Sequence, residues 1–359
     1  MKKVSLIALL LSLSLLLASC GSSPSDPDSS GAPQAGGNGG DSYTLTVACF
    51  FPAGGAYETE ILNPLNELLQ EKSEGRLGLE LYMGGQLMAA GDTFDSVASG
   101  MADIGVSYMA TVPGRYPVSA ITELPLEFAS AESVTYALNE FLGEEPPAEF
   151  DGLKVLMFYA SGPAALMSQK PIETIDDMKG IQIRVNSNLV DEFNALGATP
   201  VTMTMSETYE GLRTGVVDAY VGAVESVGSS RLYEVTTNMS FYPLMNASHA
   251  MVMNPDSFSN LPEDLQTILM DSCQEILESR LATYFDDQGL IALQECKDAG
   301  VTINTIPDDE IQEMLDRTQP LLDDYAKVLD EAGYDGIALI EQWKEILEKY
   351  NEMYPCVFE

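Results

Sequence analysis

Positive charge is scarce in this sequence, and histidine and tryptophan are almost absent. Lysine and arginine together number 17 against 55 aspartates and glutamates, a formal net charge of −38 at pH 7. Such a polyanion is a poor candidate for binding nucleic acid, and anionic lipid surfaces repel it. Surface charge is screened beyond a Debye length of about 8 Å, so an anionic ligand would need a local cation to hold it.

The shortage of histidine narrows the enzymatic possibilities. A single histidine, His249, excludes a zinc site built from several histidines, and the metalloprotease, nucleophile-elbow and P-loop patterns do not occur. His249 lies in the apolar, strand-like run NASHAMVMN, where a structural histidine is expected. Abundant carboxylates leave a paired-acid glycosidase open, but a sugar-binding face normally uses tryptophans and only Trp343 is present. We therefore expect no enzymatic activity, no cofactor and no metal site.

Cysteines are few, and their spacing does not favour disulfides. Cys273 and Cys296 fall in one long helical pattern, roughly 35 Å apart along the axis if the helix is unbroken, which is too far for a bond. Nothing in the spacing recommends a partner for Cys49 or Cys356. Buried thiols are the expectation for these four residues.

The beginning of the chain has the pattern of a secretion signal. Two lysines precede an apolar run over residues 4–18, shorter than the roughly 18 residues of a membrane span. This run ends in LASC, which resembles the lipobox of bacterial lipoproteins and implies a signal peptide over 1–19 and a lipid on Cys20; an ordinary signal peptide is the alternative. Residues 21–42 lack aromatic, β-branched and large apolar side chains, so 20–42 is predicted to be a disordered tether.

From residue 43 onward, strand patterns alternate with helical patterns. The strand-like runs are 45–51, 77–83, 102–109, 152–160, 180–185, 200–205 and 216–223, and the helical runs between them are 56–72, 92–100, 189–197 and 206–215. This βαβ order predicts α/β structure with parallel pairing, and its restart at 152 predicts a second lobe. A helical pattern from Pro262 to about residue 299 is long enough to cross both lobes, unless Gly289 breaks it.

Several runs, in order, resemble the solute-binding proteins of TRAP (tripartite ATP-independent periplasmic) transporters, DctP type. The runs are GGQL, VASGMADIGVSY, ITELPLEF, KPIETIDDMKGIQIRV, ALGATPVTM, SETYEGLRTGVVDA and LPEDLQTIL, within about 44–282. The resemblance implies a periplasmic-binding-protein-like clamshell of two α/β lobes, with crossing strands and a long hinge-spanning helix. Lobe I is expected over 43–161 plus about 248–287, and lobe II over about 162–247 plus 288–359.

The same resemblance implies a function outside the cytoplasm. A monomer tethered to the cell envelope membrane would capture a small organic acid and deliver it to the small and large membrane subunits of a TRAP permease. Two alternatives stay open, namely a ligand-binding lipoprotein subunit of a sensor and a secreted hydrolase with paired acids.

Arg184, in the run GIQIRV, is the first candidate for the ligand site. Ile183 and its apolar neighbours alternate as in a half-buried strand, so Arg184 points off the opposite face, near the carboxyl end where open α/β sheets bind ligands. Asn186, Ser187 or Asn188 could cap the next helix, whose N–H groups favour an anion. A surface arginine is the alternative, but the resembling family has its carboxylate-clamping arginine at this position.

The remaining candidates follow from departures from the family pattern. Many family members have a second arginine where this chain has Ala164 or its neighbours, and an asparagine near Gly222. Apolar and aromatic residues replace these polar contacts, so the expected ligand is a monocarboxylate with an apolar or aromatic tail. Besides Arg184, the predicted ligand-binding residues are Met205, Phe51, Tyr108, Tyr220, Ser187 and Gly222. Phe50, Met109 and Met203 are further candidates for the surface that faces the cleft.

Overall fold

The computed structural model describes residues 41–111, 114–143 and 146–358. The predicted signal peptide, the predicted lipidation site at Cys20 and nearly all of the predicted tether lie outside these residues. Within them, no helix combines the length and the apolar character that crossing a membrane requires.

Strands and helices alternate along most of the described chain. The strands are β1 (Tyr43–Cys49), β2 (Leu77–Tyr82), β3 (Ile104–Tyr108), β4 (Lys154–Ala160), β5 (Ala164–Ser168), β6 (Gln182–Val185), β7 (Thr199–Thr202), β8 (Ala219–Ala223), β9 (Asn238–Tyr242), β10 (Ser248–Met253) and β11 (Thr302–Asn304). The α-helices are α1 (Asn63–Lys72), α2 (Thr93–Ala98), α3 (Ala131–Leu142), α4 (Ile175–Met178), α5 (Val190–Ala195), α6 (Met205–Thr214), α7 (Val224–Ser229), α8 (Pro255–Ser259), α9 (Glu263–Ile276), α10 (Ala282–Asp298), α11 (Asp308–Glu331) and α12 (Gly336–Met353). The α/β class predicted from the sequence is confirmed.

The first sheet has the strand order β2-β1-β3-β10-β4. β1 runs parallel to β2 and β3, as the βαβ pattern predicts, whereas β10 runs antiparallel to both of its neighbours. Both faces are covered. Val47 and Met251 lie in one apolar cluster and Ala48 and Val252 in another, because successive side chains of a strand point to opposite faces.

The second sheet has the order β11-β9-β5-β8-β6-β7. β6 is parallel to β7 and β8, and β5 is antiparallel to β8 and β9. Ile183 and Val185 pack with one cluster, while Val201 and Tyr220 belong to the cluster on the other face. The two sheets are the cores of the two lobes.

The chain passes between the sheets at two short connections. Residues 161–163 lead from β4 in the first sheet to β5 in the second, and residues 243–247 return from β9 to β10. Residues 161–163 lead into β5, which runs antiparallel to both of its neighbours in the second sheet. Residues 243–247 lead into β10, which runs antiparallel to both of its neighbours in the first sheet. These are the crossing strands of the predicted clamshell.

A single long helix also joins the lobes. α9, a five-residue π-helical segment (Leu277–Leu281) and α10 follow one another without interruption, and Gly289 does not break the helix. At 1.5 Å per residue the whole is about 54 Å long. Leu277 and Phe285 pack in the core of the first sheet, whereas Leu293 and Cys296 pack in the core of the second.

The end of the chain packs differently from the predicted lobe assignment. Met314 of α11 lies in a core of the second sheet, but Leu322 and Leu329 of the same helix, and Trp343 of α12, lie in a core of the first sheet. A helix of 24 residues is about 36 Å long and so reaches from one lobe to the other. We therefore propose a division in which residues from about 320 to 353 belong to lobe I, not to lobe II.

Two local predictions also need comment. Cys49, Cys273 and Cys296 are buried free thiols, as expected, whereas Cys356 is half-buried and not buried as predicted. The strand predicted over 200–205 ends at Thr202, and Met205 is the first residue of α6. The side chains of Thr204 and Glu207 form a capping box at the start of this helix. Capping at Thr204 therefore stops the strand three residues early.

Candidate functional site

β6 places Arg184 on the face of the second sheet opposite Ile183 and Val185. Its register partners are Val201 on β7 and Tyr220 on β8. The side chain is buried, with 5% of its surface exposed, although arginine is almost never buried unless it is paired. The orientation predicted from the sequence is thus observed, and the burial could not be read from the sequence.

Two contacts hold the guanidinium in place. Nε donates a hydrogen bond of 2.9 Å to the carbonyl oxygen of Met203, and Cζ lies 5.6 Å from the ring centroid of Tyr220. The two Nη nitrogens make no hydrogen bond to any residue in the described part of the chain. An arginine anchored through Nε presents both Nη groups to a ligand, which is the fork geometry that a carboxylate matches.

The charge of Arg184 has no counter-ion within the described residues. None of the ion pairs among them includes Arg184. Burial lowers the pKa of the guanidinium, and the hydroxyls of Tyr220 and Tyr108 oppose that shift. Neither a carboxylate nor a second cation is among its electrostatic neighbours. An uncompensated buried cation is unfavourable unless an anion joins it.

Tyr108, at the end of β3, brings the first lobe to this place. Burial and the carboxyl of Glu123 raise the pKa of the Tyr108 hydroxyl, and Arg184 lowers it. Tyr108 therefore lies within electrostatic range of Arg184, although the two residues belong to different sheets. The Tyr108 ring meets Phe50 edge to face, with centroids 5.5 Å apart, and Phe50 lies against Phe51 at 4.1 Å.

The aromatic surface continues into the first lobe through His249. Tyr108, His249 and Tyr159 are neighbours across three adjacent strands. The ring centroid of His249 lies 5.0 Å from that of Tyr159 and 5.8 Å from that of Phe51. Burial lowers the pKa of His249 to about 3, so the ring is neutral at neutral pH, and its Nδ1 has no hydrogen-bond partner among the described residues. The expectation of a buried, structural histidine agrees with this environment.

The other predicted ligand-binding residues range from fully buried to exposed. Tyr220 is buried in the core of the second sheet, and a Cβ added to Gly222 would lie 2.1 Å from the Tyr220 hydroxyl oxygen, so Gly222 makes room for that ring. Met205 is half-buried at the start of α6, and Ser187 is exposed in the turn after β6. Asn186 precedes that turn but makes no capping hydrogen bond with its side chain.

The further candidates for the cleft surface also differ in burial. Met203 is half-buried, Phe50 is half-buried, and Met109 lies in a core of the first lobe. Lys170, which follows the position of the missing second arginine, is exposed beyond the end of β5.

Three contributions were missed by sequence reasoning. The Met203 carbonyl anchors Arg184, and Glu123 and Asn188 form a hydrogen bond of 3.2 Å between the lobes, four residues along the chain from Arg184. A backbone acceptor leaves no signal in a sequence. Glu123 lies in the run ITELPLEF and Asn188 in the predicted capping cluster, but only the fold brings them together. No cluster suited to a metal ion occurs among the residues that the structure describes.

These features define a class of protein. Two α/β lobes are joined by crossing strands and a long helix. Arg184, a buried cation with no counter-ion among the described residues, lies within electrostatic range of Tyr108 of the other lobe. This is the architecture of a two-lobed, clamshell-type ligand-binding protein.

The chain belongs to the family of bacterial extracellular solute-binding proteins, family 7 (DctP), whose sequence model matches residues 52–328. It is 28% identical, over 74% of its length and 85% of the relative's, to the 2,3-diketo-L-gulonate-binding periplasmic protein of Escherichia coli. These are proteins of solute transport rather than enzymes.

Solved structures agree with this membership. A TRAP periplasmic solute-binding protein from Desulfovibrio salexigens is 31% identical with a TM-score of 0.80, covering 86% of this chain and 96% of the other. A marine metagenome TRAP solute-binding protein specific for aromatic acids, in complex with metahydroxyphenylacetate, is 25% identical with a TM-score of 0.78, covering 86% and 99%. The resemblance inferred from the sequence runs, and the two-lobed fold that it implies, are confirmed.

Proposed function

We propose that this protein captures a small organic acid outside the cytoplasm by clamping the acid's carboxylate on Arg184, and delivers it to the membrane subunits of a TRAP permease. The observation that carries this proposal is the burial of Arg184 without a counter-ion. A ligand carboxylate would supply the missing negative charge. It would also accept two parallel hydrogen bonds from the free Nη groups.

The surroundings of Arg184 support a monocarboxylate with an apolar or aromatic tail. Among the described residues its electrostatic neighbours are tyrosines, and no second cation is among them to hold another carboxylate. Phe50, Phe51 and Tyr108 offer ring surfaces on the side of the first lobe. An aromatic-acid-specific relative has the same fold. A sugar acid, the ligand type of the Escherichia coli relative, would leave hydroxyl groups without partners against these rings.

Transport follows from a shift between lobe arrangements. The acid binds better when both lobes touch it, so it favours the closed form that docks on the permease. The ligand can shift this equilibrium only by its differential affinity for the two forms, so release into the permease needs a separate driving force.

We further propose that the mature protein is a monomer anchored to the envelope membrane by a lipid on Cys20, with 20–42 as the tether. The support is the LASC run after the apolar segment 4–18. Metabolic labelling with a radioactive fatty acid tests the anchor: the wild type should carry the label and Cys20→Ser should not.

The ligand assignment is tested by thermal unfolding with benzoate, 3-hydroxybenzoate, succinate and glucuronate. A ligand at 100 times its Kd stabilises the folded state by about 2.7 kcal/mol, which raises Tm by several degrees. We expect the aromatic monocarboxylates to shift the wild type but not Arg184→Lys, because an ammonium cannot reproduce the fork. Arg213→Lys, at an exposed arginine paired with Glu210, is the matched control and should respond like the wild type.

Each outcome of this screen has a distinct meaning. Shifts by succinate or glucuronate alone would contradict the monocarboxylate proposal and leave the clamp standing. An aromatic acid that shifts Arg184→Lys as strongly as the wild type would overturn the clamp itself.

A further inference from the structure

A hydrogen bond joins the two lobes four residues along the chain from Arg184. Asn188 Nδ2 donates to Glu123 Oε2 over 3.2 Å. Asn188 lies in the turn Ser187–Leu189, four residues after Arg184, and Glu123 ends the helical turn Ser119–Glu123 of the first lobe. The contact therefore connects the segment that carries the clamp with the opposite lobe.

Glu123 is held firmly from its own side. Its Oε1 accepts a hydrogen bond of 2.9 Å from the backbone N–H of Ser248, the first residue of β10. The preceding residue, Thr122, accepts a hydrogen bond of 2.7 Å from Asn246 Nδ2 through its carbonyl, and its hydroxyl lies 2.9 Å from the Ser248 hydroxyl. Glu123 is thereby tied to the crossing connection between β9 and β10, which is part of the hinge.

From the second lobe, the Glu123 carboxyl accepts a hydrogen bond from the neutral side chain of Asn188, and it forms no ion pair among the described residues. Burial raises the pKa of Glu123 to about 7, and the hydrogen bonds from Ser248 and Asn188 oppose the shift. Glu123 raises the pKa of the Tyr108 hydroxyl and Arg184 lowers it, so Tyr108 lies within electrostatic range of both residues.

We propose that Glu123 and Asn188 are positioning residues for solute binding: their hydrogen bond ties the Arg184 segment to the first lobe and holds the lobes in the arrangement that binds the solute. Neither residue touches the solute in this proposal, which rests on the proposed function. The contact favours the binding-competent arrangement before the solute arrives. Losing it therefore lowers the apparent affinity by the fraction of molecules that leave that arrangement.

The test exchanges donor and acceptor across the lobes. Asn188→Asp places a carboxylate against that of Glu123, so the contact is lost and becomes repulsive. In the double variant Glu123→Gln with Asn188→Asp, the glutamine amide donates to the aspartate, and the hydrogen bond returns with reversed polarity. Asn194→Asp is the matched control, since it makes the same charge change at an exposed position of α5.

The first measurement is the Kd of benzoate by calorimetry at pH 8, where the Glu123 carboxyl is ionised. Asn188 is exposed, so solvent weakens this contact, and in Asn188→Asp the lost hydrogen bond together with the repulsion between two carboxylates should raise the Kd about fivefold. The double variant should return to within about threefold of the wild type, and Asn194→Asp should not differ from it. A Kd for the double variant as poor as that of Asn188→Asp would overturn the proposal.

The second measurement needs no ligand. Small-angle X-ray scattering of the ligand-free protein should give a larger radius of gyration for Asn188→Asp than for the wild type, with recovery in the double variant. If benzoate does not bind the wild type, the radius of gyration can still increase in Asn188→Asp and return in the double variant. In that case the ligand proposal fails and the interlobe contact stands. Equal radii in all four proteins would refute the contact as a determinant of lobe arrangement.

Discussion

At the scale of single residues, the proposed function depends on an arginine that the fold leaves in an unfavourable state. Arg184 is buried, anchored by the Met203 carbonyl and without a carboxylate in the described chain. Burying a charge without a partner costs free energy, and a binding site can store that cost until a ligand relieves it. The same property that makes Arg184 a good clamp therefore lowers the stability of the ligand-free protein.

This trade-off predicts the behaviour of Arg184→Met. The variant keeps the bulk of the side chain and removes the charge, so the ligand-free protein should unfold at an equal or higher temperature than the wild type. It should also lose the shift in Tm caused by an aromatic monocarboxylate. Thermal unfolding with and without benzoate measures both quantities.

The control for this variant is Arg317→Met, at a surface arginine that pairs with Glu313. It should keep the ligand-induced shift and change Tm little, because exposed ion pairs contribute little. A ligand-free Tm that falls by many degrees in Arg184→Met would contradict the view that the buried charge is uncompensated.

At the scale of elements, buried acids connect neighbouring segments. Glu192 on α5 is almost fully buried and accepts a hydrogen bond from the hydroxyl of Tyr242 on β9. Burial raises the pKa of Glu192 to about 8, and the Tyr242 hydrogen bond opposes that shift. Since the pKa of a glutamate in an unfolded chain is about 4.3, the native state holds this proton more tightly than the unfolded chain does.

The sign of the resulting pH dependence follows directly. The stability that comes from the raised pKa is fully present below the unfolded value and is lost as the pH rises through about 8. Glu192→Gln removes this titration, so its stability relative to the wild type should increase between about pH 5 and pH 8. Urea unfolding at several pH values measures the difference.

Glu71→Gln, at an exposed position of α1, is the control and should run parallel to the wild type over this range. A constant difference in stability between Glu192→Gln and the wild type from pH 5 to pH 8 would show that Glu192 titrates normally in the folded protein.

At the scale of the whole molecule, the first strand and the last helix of the described chain belong to one lobe. Ala48 of β1 and Phe158 of β4 share a core with Leu322 of α11 and Trp343 of α12. The Trp343 ring is fully buried and lies 5.4 Å from that of Phe141. The first lobe therefore cannot complete its core until the last helices have been added, and α9, α10 and α11 connect that core to the second lobe.

Trp343→Ala should consequently weaken the entire protein. A buried tryptophan replaced by alanine costs about 3 to 5 kcal/mol, through lost burial and the cavity that remains. Chemical denaturation followed by circular dichroism measures this loss. Ile337→Ala, an exposed position on the same helix, should change stability by less than about 0.5 kcal/mol. If Trp343→Ala lost as little stability as Ile337→Ala, α12 would not be part of the lobe I core.

Much of the fold was accessible from local patterns. Alternating apolar residues predicted β1, β2, β3, β4, β6 and β8, because strand periodicity is a local property. The pattern from Pro262 predicted the long helix, and Gly289 does not interrupt it because tertiary contacts on both sides hold the helix together. The strand over 200–205 was overestimated, because the capping box at Thr204 ends it sooner than the apolar alternation suggests.

By itself, the sequence determined the α/β class, the family, the face of the strand from which Arg184 projects and the scarcity of other cations, since each depends on residue identity and spacing along the chain. Only the tertiary structure decided that Arg184 is buried with no counter-ion in the described part of the chain, that α12 belongs with the first sheet, and that Glu123 meets Asn188 across the lobes. These three facts concern residues far apart in the chain, and no local pattern encodes how closely such segments pack or which charges the packing leaves unpaired.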